Sequence, residues 1–170
     1  FLEAACVAQK ATGVPIITHT QDGVGAPDQI VAFKGNGVAP HKCLIGHCCG
    51  NADPAYHQRV VDGGVYIGFD RIGIHRFMPD ETRADNLVKL VRNGHRSQIM
   101  MSQDRHCAWL GKFARQVSAE EQARIDALRA EGKWPPPYSY IFTDFLPLLH
   151  QRGLTDADIS AILDENPRRF

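Results

Sequence analysis

The sequence predicts an α/β protein built on a parallel sheet, and three observations carry the prediction. Four short apolar runs recur, near 14–18, 43–47, 65–69 and 98–102. Each is near-continuous in apolar character, the mark of a strand buried on both faces rather than of one that alternates. Helical segments separate the runs and end at glycines such as Gly13, Gly35 and Gly94, where a left-handed residue closes a helix at little steric cost.

The elements follow in order. Residues 1–11 read as the end of an amphipathic helix stopped at Gly13, followed by the run 14–18 and the polar turn "TQDGVGAPD". Pro27 and Asp28 suit a helix start, with Ile30, Val31 and Phe33 as its apolar positions. "KCLIGH" is the second run, residues 53–62 a short helix, and "VYIGFD" the third run. Pro79-Asp80-Glu81 opens the next helix with acids where the dipole favours them, and "QIMMSQD" is the fourth run. Residues 108–138 are irregular apart from one polar helix opened by the capping box "SAEE", Ser118 to Glu121. After "KWPPPY" comes a docking helix that contains Pro147, and "TDADISAILDENPRRF" closes the chain as a short capped helix. Four strand–helix units fit either half of an eight-stranded barrel of roughly 250 residues or an open doubly wound sheet. Phe1 lies inside a helix, so the chain is expected to be the C-terminal part of one domain whose beginning lies upstream.

Composition removes several classes of function. Of 170 residues, 44% are hydrophobic and 22% charged, as in an ordinary globular domain. Lys plus Arg and Asp plus Glu both number 19, so no net field draws nucleic acid or an anionic membrane. No apolar run approaches a membrane span, and the start lacks a secretory signal. Five cysteines, an odd count, argue for reduced thiols and a cytoplasmic protein.

The chemistry lies at the ends of the runs: His19, His47, Asp70 and Asp104 each close an apolar run. In a parallel α/β protein the carboxyl ends of the strands share one face, and ligands bind there. Two imidazoles and a carboxylate suit zinc, manganese, iron or cobalt better than magnesium or calcium. A lone His19 would read as a core residue; His47 and Asp104 at equivalent places turn the reading towards a metal site. Asp70 fits either the site or a structural grip on backbone or on Arg71. His41, Cys43, His47, Cys48 and Cys49 do not make a structural zinc knuckle, because a strand intervenes. His106 and Cys107, being adjacent, are poorly placed to act as base and nucleophile. No GxGxxG or GxxxxGKS supports a nucleotide binder.

"GVPIITHT", "IGHCCGNADPAY", "GVYIGFDRIG", "QIMMSQD" and "DENPRRF" resemble the phosphotriesterase family of the amidohydrolase superfamily, over nearly the whole chain and in the same order. The resemblance implies the C-terminal half, strands five to eight, of a (β/α)8 TIM-type barrel. It implies two divalent metals per complete subunit, zinc being the expected one. His19 and His47 would hold the more exposed metal and Asp104 the more buried one, with Asp104 taking up the proton of a metal-bridged hydroxide. Family members carry the other ligands, an HxH pair and a bridging acidic group, in strands one and four; no HxH occurs in this chain. The 170 residues alone are therefore expected to be inactive.

Departures from the family pattern bear on substrate. Arg71 stands where organophosphate specialists carry histidine, and "FDRIG" is similar to the phosphotriesterase-like lactonases, in which this arginine shapes the substrate entrance. Ser102-Gln103-Asp104 departs from their Ser-His-Asp. Residues 105–138 correspond to the loop that covers the site. Trp109, with Leu110, Phe113 and Trp134, is expected either to line an apolar substrate channel or to anchor that loop. The expected function is hydrolysis of a lactone or related ester, with phosphotriester hydrolysis as a side activity and a homodimer allowed. The rival is a non-catalytic half-barrel module that associates to cover its open edges.

Overall fold

A computed structural model describes residues 1–105 and 118–170. Its centre is a four-stranded parallel sheet in chain order, β1 (Ile16–Thr18), β2 (Cys43–Ile45), β3 (Tyr66–Phe69) and β4 (Ile99–Met101). Helices α1 (Leu2–Thr12), α2 (Ala26–Gly35), α3 (Pro54–Asp62) and α4 (Asp80–Arg92) alternate with the strands, as the periodicity predicts. The register pairs Ile16 with Cys43, Ile45 with Ile67, and Ile67 with Ile99. Strand side chains alternate between faces, so these residues share one face with Phe69, and all are buried with Phe33, Leu87 and Leu90 of the helices.

The expectation of a sheet covered on both faces fails at β1. Ile17, on the other face and in register with Leu44, is 69% exposed. The helices bury one face, and β1 pairs only with β2 among the described residues. At the β3–β4 side that second face is closed, because Tyr66 packs edge-on against Phe170 at 5.2 Å. Asn166 adds donations to the carbonyls of Ile99 (2.7 Å) and Arg96 (2.9 Å). These contacts lie at the amino ends of the strands and leave the carboxyl ends clear.

The remaining helices are α5 (Ala119–Ala130), α6 (Leu146–Gln151), α7 (Asp156–Ser160) and α8 (Asn166–Arg169). Ser118 accepts from the Glu121 N–H at 3.1 Å, so the expected capping box forms in one direction. A reciprocal box forms at Thr155 and Asp158 instead. Prolines at 147 and 167 do not break the chain's helices, because a wide π-helical turn precedes each, at Ile141–Phe145 and Ala161–Glu165. Such a turn resets the backbone where a proline ring would strike the carbonyl one turn back. The docking helix predicted around Pro147 therefore seats Phe145 and Leu149 in the core.

Candidate active site at the carboxyl ends of the strands

Backbone pairing continues past the strands and fixes the residues that follow them. Gly46 donates to the Thr18 carbonyl at 2.9 Å, Ser102 to the Phe69 carbonyl at 3.1 Å, and Ile72 to the Ser102 carbonyl at 3.3 Å. Gln29 of α2 donates to the carbonyl of His19 at 3.1 Å. The strand-end residues thus sit on ordered backbone rather than on free loops.

They converge. The His19 and His47 rings meet edge to face, with centroids 4.4 Å apart. His47 Nε2 lies 3.8 Å from Asp104 Oδ2. Asp70 accepts the backbone N–H of His47 at 2.8 Å and faces the same residue's Nδ1 at 2.9 Å. Of the two roles left open for Asp70, the grip on backbone is observed, and the backbone gripped is that of a site histidine. Arg71 is nearly buried; its Nε donates to Asp104 Oδ2 at 3.3 Å and its Nη1 to Asp22 Oδ1 at 3.4 Å. Phe77 lies against the guanidinium, 4.5 Å from Cζ to the ring centroid. Arg71 therefore ties together the loops after β1, β3 and β4.

Asp22 is the site residue that sequence reasoning missed. It sits in the glycine-rich turn "TQDGVGAPD", where it is the acid nearest the strand end. Backbone conformation marks the same residues a second way. Among the described residues, the non-glycine positions with left-handed φ are Asp22 (52°), His47 (62°) and Asp104 (48°). Such conformations cost free energy and concentrate at functional sites.

Several sequence candidates stand apart. Trp109, Leu110 and Phe113, with His106 and Cys107, lie outside the described residues. Trp134 faces Arg76, whose Cζ is 5.2 Å from its ring centroid, an anchoring contact. Gln103 is buried and donates to the Pro137 carbonyl at 2.8 Å, so the residue that departs from Ser-His-Asp holds the end of the 105–138 segment. Burial pushes the thiols of Cys43 and Cys49 up to about 11 and that of Cys48 to about 12. Thiols so disposed stay protonated and are poor metal ligands or nucleophiles.

The donor chemistry fits a borderline divalent cation: two imidazoles with one carboxylate beside them. Among the described residues no three such side chains close around one point, so the candidate ligands stand as an open set rather than an enclosed site.

The model of the phosphotriesterase family matches residues 1–170. An aryldialkylphosphatase of Saccharolobus solfataricus is 31% identical over 99% of this chain and 51% of its own length. A phospho-furanose lactonase of Mycoplasmopsis synoviae is 32% identical over 99% of this chain and 44% of its own. The crystal structure of a mutant PTE-like lactonase from Deinococcus radiodurans superposes with a TM-score of 0.84 at 37% identity, covering 99% of this chain and 51% of that one. The chain thus spans about half the length of the curated relatives it matches, and its four strand–helix units are half of a (β/α)8 barrel.

Proposed function

The chain belongs to the phosphotriesterase family, and from that premise we propose that its protein hydrolyses a lactone or related ester, with phosphotriester hydrolysis as a side activity. The observation that carries the reading is that His19 and Asp104 each approach His47 at the carboxyl ends of three strands. His19 and His47 would hold one divalent metal and Asp104 would serve a second. Zinc is the first choice, with manganese, cobalt or iron as alternatives. When bound, such a pair supplies Lewis acidity and water activated at neutral pH.

The chain's own residues do the rest. Asp104 takes the proton of the attacking water at Oδ1, the oxygen opposite the one that Arg71 grips. Arg71 holds that carboxylate in place through Nε and, anchored by Asp22 on its other side, forms the charged wall of the substrate entrance. The 170 residues carry only part of the ligand set and would not turn over substrate alone. The open face around Ile17 favours a second reading, an association module that covers its β1 edge with another chain.

In the intact protein, Asp104→Asn should still fold and should lower lactone turnover by about 10²–10⁴-fold. Turnover within a few-fold of the parent would overturn the assignment.

A further inference from the structure

We propose that Asp70 is the positioning residue of His47: it sets the ring's orientation and its tautomer, so that Nε2 presents a lone pair at the mouth of the strands. The proposal rests on the hydrolase reading for its purpose, though not for its geometry.

One oxygen does two jobs. Asp70 Oδ1 accepts the His47 backbone N–H at 2.8 Å and lies 2.9 Å from Nδ1 of the same residue. An ionised carboxylate can only accept, so Nδ1 carries the ring proton, and in the neutral ring Nε2 is then bare. Nε2 is the atom that looks towards Asp104, and a ring in this state is ready to ligate. Carboxylates that hold the far nitrogen of a histidine orient metal ligands in this way.

The second oxygen shows that the arrangement is built in. A Cβ on Gly46 would come within 2.9 Å of Asp70 Oδ2, and one on Gly68 within 2.8 Å. Neither glycine has left-handed φ, so their turn-forming freedom does not explain them. Backbone crowds them too, the Thr18 carbonyl at 2.8 Å from a Cβ on Gly46 and the Gly46 Cα at 3.0 Å from one on Gly68, and the carboxylate fills the space that is left. Gly46 precedes His47 and Gly68 stands two before Asp70, so both apolar runs carry a gap where the acid crosses from one strand end to the next.

The same contact also pins the left-handed backbone of His47, and a purely structural role would stop there. The ring nitrogens separate the two roles. In the intact, metal-free protein at a pH above the imidazole range, long-range ¹H–¹⁵N spectra should show His47 as the Nδ1–H form, and Asp70→Ala should abolish that preference. Zinc affinity, read by competition with a chromogenic chelator, should fall about 10–100-fold in that variant. Should Asp70→Ala fail to fold, Asp70→Asn keeps an acceptor for the backbone N–H. It should retain the parent's melting temperature while binding zinc at least about tenfold more weakly, as expected when such a partner is altered. A parent ring in the Nε2–H form, or a foldable Asp70→Ala that leaves the His47 tautomer unchanged, overturns the proposal. If the parent binds no zinc while the tautomer still depends on Asp70, the positioning role stands and the hydrolase reading is what fails.

Discussion

The loop that carries Arg71 is held from beneath by a buried ion pair, and breaking it on one side should be costly. Asp80 is 2% exposed and Arg83 fully buried, with Nη1 and Oδ1 2.6 Å apart. The Asp80 carboxylate also takes the Gly73 N–H, at 2.9 and 3.2 Å, while Arg83 donates to the carbonyls of Met78 and Ile74 at 2.8 and 3.1 Å. Asp80→Ala leaves a desolvated guanidinium without its counter-charge and a buried N–H without an acceptor. One-sided removal of a buried pair costs about 3–5 kcal/mol, a large share of a typical domain's total stability. Urea unfolding of the intact protein, monitored by circular dichroism, should report a loss of that size. The double variant Asp80→Ala, Arg83→Leu should recover much of it, since replacing both partners by apolar groups is far less damaging than orphaning one. Asp126→Ala, which breaks an exposed pair with Arg129, should change little. A loss below about 1 kcal/mol in Asp80→Ala, well short of the range for a broken buried pair, would refute the argument that this clamp is a desolvated pair.

Two other outcomes are expected. His57 is buried against Phe69 with Nε2 2.9 Å from the Cys48 carbonyl and Nδ1 unpartnered, and burial lowers its pKa below the ordinary 6.5. The unfolded chain therefore takes up this proton first as pH falls, so stability is full above pH ~6.5 and declines below it by up to about 1.4 kcal/mol per pH unit. Denaturation midpoints between pH 7.5 and 5 should fall less steeply in His57→Gln, and equal slopes would show that His57 contributes nothing. A native mass spectrum of the protein from its source cell should show a metal-loaded subunit near twice the mass of this 170-residue chain; a metal-free, self-associated subunit of the chain's own mass would favour the association module.

Much of the architecture was legible because it depends on local pattern. Four apolar runs became four strands within two residues of their expected bounds, and the four ionisable residues at their ends meet through His47. The partners of Asp70 and Arg71 were not readable, since they lie after other strands: His47 for Asp70, Asp22 and Asp104 for Arg71. A trace of the first was present in the glycines at 46 and 68, which interrupt otherwise apolar runs. Asp22 left a fainter one, an acid within a turn that composition explains without it. The π-helical turns could not be foreseen, because proline signals a break and only tertiary packing shows that the helix resumes. The open face at Ile17 was hidden for a related reason: an apolar residue reads as buried whether or not its covering lies within the same 170 residues.

The left-handed backbone at Asp22, His47 and Asp104 also bears on how this protein can change. At each position glycine would relax the main chain, by about 1 kcal/mol, while removing the side chain that meets its neighbours across the strand ends. Selection for heat resistance alone would therefore favour drift at the rim of the site, and the first mutations to accumulate would be among those most damaging to chemistry. Stabilised descendants of this protein are best sought in the helical layer, with the three strand-end positions held fixed.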